Sequence, residues 1–143
     1  MIRVETNYEK GEICMNGNEL KRGDVFWAKL PKLENSRIQA GVRPVIVTSN
    51  AMALKHSPVI QYIPVTSEIK KTSLPVHVGL NNSFFPRPSM ALVEQEGCID
   101  KNRLMEKIGT LSEKDMLRID RAILTQRGID PRAMVRDMRY AIA

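Results

Sequence analysis

Hydrophobic positions fall into short runs, separated by polar turns marked with proline and glycine. The first clear strand is Asp24-Val25-Phe26-Trp27-Ala28-Lys29-Leu30. Val25, Trp27 and Lys29 share one face, and Phe26, Ala28 and Leu30 the other. It opens at the turn Arg22-Gly23-Asp24 and stops at Pro31. A polar loop over 31–42 leads to a second strand over Pro44–Ser49, whose Val45-Ile46-Val47 is β-branched throughout and reads as buried. The proline is expected at the strand's start, because it has no N–H to give an interior ladder. Ala51–Lys55 reads as one helical turn. Further strands are predicted over Val59–Val65, Val76–Leu80, Met90–Gln95 and Leu104–Ile108, with Asp100 placed to cap a short turn over Lys101–Arg103. Glu68–Ser73 and residues 81–89 read as loops.

Helical periodicity appears only late. Ser112 with Asp115 three residues on marks a helix start, and Met116, Ile119 and Ile123 give that helix an apolar side. Gly128 ends it. Asp130-Pro131 reads as the cap and first residue of a second helix through Met134, Val135 and Met138. The first twenty residues are polar and mixed, and read as a flexible lead outside the core. Five to six short strands followed by helices predict a mainly β fold, a small barrel or sandwich.

Composition narrows the class. The 143 residues suit one domain, and 43% hydrophobic with 27% charged residues is an ordinary globular balance. The net charge of +6 favours a polyanion or an acidic protein as partner. Cys14 and Cys98 stand far apart with no CxxC pair, which argues against zinc. Nothing reads as a signal peptide, and no apolar run approaches the ~20 residues of a membrane span, so the expected setting is the cytosol with no membrane partner.

The chain carries no Ser/His/Asp set, no glycine-rich phosphate loop and no HExxH helix. One chemistry needs little equipment: cleavage of RNA by its own 2′-hydroxyl. The substrate brings the nucleophile, and a cation with a few hydrogen-bond donors aligns it and neutralises the phosphorane, with no metal or cofactor required in principle. Arg43, held between the Gly41 turn and Pro44, suits the charge role. An arginine paired with a carboxylate at a barrel rim fits the same stretch. Thr66 and Ser67 offer hydroxyls at a neighbouring strand end. His56 and His77 are the acid/base types for neutral pH, but His77 lies in a strand pattern as a packed or edge residue and His56 reads as exposed.

The order of motifs resembles the MazF/PemK family of toxin endoribonucleases. The matching pieces are Lys21-Arg22-Gly23-Asp24-Val25, Gln39-Ala40-Gly41-Val42-Arg43-Pro44-Val45, Ser49-Asn50 and Pro64-Val65-Thr66-Ser67. They continue through Leu74-Pro75-Val76-His77-Val78, Leu92-Val93-Glu94-Gln95, Ile99-Asp100-Lys101-Asn102-Arg103-Leu104 and Ile108-Gly109-Thr110-Leu111. No piece is specific alone; the ordered set is. It spans 20–126 as a toxin domain, leaving 1–19 as an N-terminal extension and 127–143 as a C-terminal helical one.

The resemblance implies an SH3-like small barrel with added helices and a two-fold homodimer. It implies metal-independent cutting of single-stranded RNA at short sequences, and neutralisation by a MazE-like antitoxin with an acidic segment. Arg43 and Thr66 fall on the family's catalytic positions; Gln39, Ser67, Glu94 and Gln95 fall on base-contacting ones. Arg37, Lys70, Lys71 and Arg87 are candidate backbone contacts on loops, and Phe84 or Phe85 is a candidate base stacker. Two departures stand out: Ile38 where many members carry an acid, and Ala40 where glycine is common. The rival function is a non-catalytic barrel that inhibits a protein target such as a DNA gyrase.

Overall fold

The computed structural model describes residues 4–7, 12–15, 20–69 and 74–142. Its centre is an antiparallel run of β3 (Asp24–Leu30), β4 (Gly41–Val47) and β5 (Val59–Thr66). With β6 (His77–Leu80), β7 (Ser89–Leu92), β8 (Gly97–Asp100) and β9 (Leu104–Thr110) these make a seven-stranded sheet. Its path is β6-β7-β5-β4-β3-β9, with β8 on the first half of β5. Helices α2 (Glu113–Gln126) and α3 (Pro131–Ile142) follow, and a short α1 (Ala51–His56) links β4 to β5. The mainly β fold with late helices is as the pattern predicts. The strand path stays open at β6 and β9, so the expected barrel is not closed by hydrogen bonds.

Period-2 alternation sorts side chains into two cores, one on each face of the sheet. Val25, Ile46, Ile63 and Val65 pack with Met116, Ile119 and Ala122 of α2. Phe26, Ala28, Val45, Val47, Ile60 and Tyr62 pack with Leu54, Ile99 and Leu104. Asp24 is fully buried yet satisfied: it accepts from Lys21 N–H and the Thr110 hydroxyl, and Lys107 Nζ lies 3.1 Å away. Ser112 caps α2 through Asp115 N–H, and Gly128, at φ 70°, turns the chain out of it.

Three strand boundaries differ from expectation. β4 begins at Gly41, so Pro44 sits inside a strand rather than at its start. This is tolerated because β5 pairs only with Val45–Val47, which leaves residues 41–44 an edge on that side. The strand expected over Met90–Gln95 ends at Leu92, and Glu94 and Gln95 lie on a 3-10 turn, Val93–Gln95. β8, absent from the sequence reading, pairs with β5 from Val59 to Tyr62. Asp100 precedes the turn Lys101–Arg103 but makes no side-chain cap. In the N-terminal segment β1 (Val4–Asn7) pairs antiparallel with β2 (Glu12–Met15), a hairpin where a polar lead was expected. Lys70 and Lys71 lie outside the described residues.

Candidate nucleic-acid interface

The site forms where β4 and β5 part. Their last paired residues are Val45 and Pro64. The next pair in this register would be Pro44 with Val65, and Pro44 has no N–H to donate to it. Beyond this point β5 leaves β4 and pairs with β7 through Val65–Ala91 and Thr66–Met90. A pocket of about 140 Å³ opens in the gap. It is lined by Arg43, Ser67 and Arg87, with Trp27 and Phe85 as apolar surface and Ser89 beside them.

Arg43 is half-buried, and its Nε donates to Ala40 O at 3.2 Å. Among the described residues its two terminal nitrogens have no hydrogen-bond or ion-pair partner. The fork is thus anchored at its base and open at its tip, the arrangement of an arginine waiting for an oxyanion. The alternative of a rim ion pair has no carboxylate here.

Thr66 is 6% exposed and lies between the lining residues Val65 and Ser67 without itself lining the pocket. Its Oγ1 accepts from Glu68 N–H at 3.1 Å. That bond occupies an oxygen lone pair and leaves the hydroxyl hydrogen to be donated. Arg87 is exposed, and its carbonyl accepts from the Ser89 hydroxyl at 2.9 Å, fixing the loop that carries it.

A second group adjoins the first through the segment 39–43. Gln39 N–H donates to Gln95 Oε1 at 2.8 Å, and Glu94 Oε1 lies 2.8 Å from His77 Nε2. Gln39 Oε1 and Glu94 Oε2 are buried and have no hydrogen-bond partner. An unpaired buried acceptor costs about 1–3 kcal/mol, so a donor that reached either oxygen would be stabilising.

Of the residues singled out from sequence, Arg43, Ser67 and Arg87 meet in the pocket, and Gln39, Glu94 and Gln95 meet beside it. Arg37 is exposed on the loop and joins neither group. His77 was missed as a partner of Glu94, because strand alternation cannot reveal a contact to a turn 17 residues away. Phe84 packs against the core with its ring over Gly109, where an added Cβ would lie 2.3 Å from it. Phe85 does line the pocket. Among the described residues no group of three His, Cys, Asp or Glu is arranged to hold a metal, and no helix is long and apolar enough to cross a membrane.

An open antiparallel sheet with late helices and a pocket lined by Arg43 and Arg87 at a strand junction define a small β protein with a cationic cleft. The profile of the PemK-like, MazF-like toxin of type II toxin–antitoxin systems matches residues 21–126, and the chain belongs to that family. It is similar to Endoribonuclease MazF of Staphylococcus saprophyticus, 38% identical over 106 residues, covering 73% of this chain and 88% of that protein. Its fold matches MazF from Deinococcus radiodurans at a TM-score of 0.67 and 21% identity, covering 78% of this chain and 99% of the other. It also matches an endoribonuclease solved with its cognate antitoxin from a mycobacterial species, at a TM-score of 0.60 and 20% identity, covering 79% and 97%.

Proposed function

We propose that the protein is an endoribonuclease toxin that cuts single-stranded RNA at short sequences in the cytoplasm and is neutralised by an antitoxin. The observation that carries this reading is the convergence of Arg43, its terminal nitrogens unpartnered, with Arg87 on one pocket of about 140 Å³. The 38% identity to a named endoribonuclease supports it independently.

The 2′-oxygen of the RNA attacks the adjacent phosphorus as its proton passes to water, and the 5′-oxygen of the next nucleotide leaves and takes a proton from water to become the 5′-hydroxyl. Arg43 grips the non-bridging oxygens and stabilises the charge that builds on the phosphorane. Thr66, its lone pair held by Glu68 N–H, donates its hydroxyl hydrogen to the same phosphate. Arg87 holds the backbone of the strand, and Trp27 and Phe85 offer apolar and π surface to a base. Gln39, Ser67, Glu94 and Gln95 read base edges.

Residues 20–126 form the toxin domain, with 1–19 and 127–143 as additions to it. The working unit is a homodimer. The antitoxin offers an acidic segment to the groove that otherwise takes RNA, which suits the net charge of +6.

The test is incubation of the purified protein with a long single-stranded RNA in excess EDTA. The expected products carry a 2′,3′-cyclic or 3′-phosphate and a 5′-hydroxyl, at a short recurring sequence. Intact RNA, or cutting that EDTA abolishes, overturns the mechanism.

A further inference from the structure

His77 is half-buried on β6, and both of its ring nitrogens are engaged. Leu74 N–H points at Nδ1 from 3.1 Å, and Glu94 Oε1 lies 2.8 Å from Nε2. These two bonds fix the tautomer. A backbone N–H can only donate, so Nδ1 carries a lone pair and the ring proton sits on Nε2. Nε2–H therefore donates to Glu94 Oε1. The carboxylate is held by one oxygen, and its other oxygen, Oε2, is buried without a donor. The side chains are 13% and 22% exposed, so the pair lies just beneath the surface beside Gln95 and Gln39.

The chain Leu74 N–H, His77, Glu94 has the form of a device for aiming a carboxylate. A glutamate on a 3-10 turn has three rotatable bonds and would sample several orientations. One charge-assisted hydrogen bond from a ring of fixed tautomer selects one of them. What is presented is an acceptor with no donor character, which suits the exocyclic amine or ring N–H of a nucleobase.

Resting on the RNA-cleaving reading above, we infer that His77 is a positioning residue for base selection. It holds Glu94 so that its partly exposed carboxylate accepts from the N–H edge of one base in the target sequence. It touches neither the phosphate nor the base. Its effect is on which sequence is cut.

Two conservative substitutions separate its two bonds. His77→Asn places an acceptor near Nδ1 and keeps Leu74 in reach, but has nothing at the Nε2 position. His77→Gln extends an amide N–H to the Nε2 position and restores the donor to Glu94. The experiment uses the full-length protein and a panel of short RNA oligonucleotides carrying the mapped cleavage sequence, each with one base changed. Glu94→Gln identifies the position whose discrimination depends on the carboxylate. His77→Asn should lose discrimination at that same position by about five- to tenfold in kcat/KM, the scale of one oriented hydrogen bond. His77→Gln should recover most of it. Nitrogen-15 NMR of the wild-type protein should show His77 protonated at Nε2 and bare at Nδ1, a readout that needs no variant to fold.

Unchanged discrimination in His77→Asn, equal behaviour of the Asn and Gln variants, or a protonated Nδ1 in the wild type each overturns the positioning role while the nuclease reading stands. A wild-type protein that cuts no RNA overturns both.

Discussion

Arg43 and Thr66 stand opposite one another on the β4–β5 register extended two residues past its last pair, Val45–Pro64. Strand alternation gives them the same face where the two strands part, with Arg43 lining the pocket and Thr66 between its lining residues Val65 and Ser67. The two candidate catalytic groups are thus set by one register and by its end at Pro44.

Arg43→Ala removes a cation whose terminal nitrogens hold nothing among the described residues. Cutting of single-stranded RNA should fall by about a hundred- to thousandfold, the range for loss of one preorganised charge-stabilising donor. The melting temperature should stay at the wild-type value, since only the Nε bond to Ala40 O is lost. Single-turnover cleavage and a thermal melt check the pair of outcomes.

Thr66→Val keeps the shape but removes both the hydrogen donated to substrate and the oxygen that accepts from Glu68 N–H. Activity should drop by about a hundredfold or more, and stability by about 1 kcal/mol for the unpaired N–H. Thr66→Ser retains the hydroxyl and should retain most of both. Rates and urea unfolding curves of the two variants separate the roles.

Arg87 is exposed and lines the pocket, and in the proposed function it holds the RNA backbone, so Arg87→Ala should weaken RNA binding more than it slows the bound reaction. The slope of log affinity against log salt should fall in magnitude by about 0.7, the value for one phosphate contact on a single strand. Titration of uncleavable RNA at several salt concentrations measures it.

Gly109→Ala should destabilise the protein by about 1–3 kcal/mol, the usual cost of forcing extra volume into a packed site. The added Cβ would meet the Phe84 ring at 2.3 Å, and the Phe84 ring lies tilted, with centroids 4.8 Å apart, against that of Phe85, which lines the pocket. The loss should therefore appear in the melt and in a reduced rate together.

Lys101 is 3% exposed and caps the end of α1 by donating to Leu54 O. Burial lowers its pKa from 10.5, so the unfolded chain binds the proton more tightly than the folded one. The penalty is fully present below the folded pKa and is relieved as pH rises through it towards 10.5. Wild-type stability relative to Lys101→Met should accordingly increase between neutral pH and about 10, in urea unfolding series run at each pH.

The sequence by itself determined the local elements whose signals are local. Alternation in Asp24–Leu30 sets β3 with its two faces, Ser112 starts α2, and Asp130-Pro131 starts α3. The ordered motifs were enough to mark Arg43, Thr66, Gln39, Ser67, Glu94 and Gln95 as candidates, and Arg87 was marked as a loop cation. Only the tertiary structure decided how they group. That Pro44 could lie within β4 depended on where β5 stopped pairing, a long-range fact no local rule contains. That Arg43 has no carboxylate partner depended on every neighbour brought to it by other strands. The role of His77 depended on Leu74 and Glu94 reaching its two nitrogens from opposite directions in the chain. Periodicity reports which face a side chain takes. Hydrogen bonds and unpaired atoms are properties of distances between segments, and those exist only once the sheet has folded.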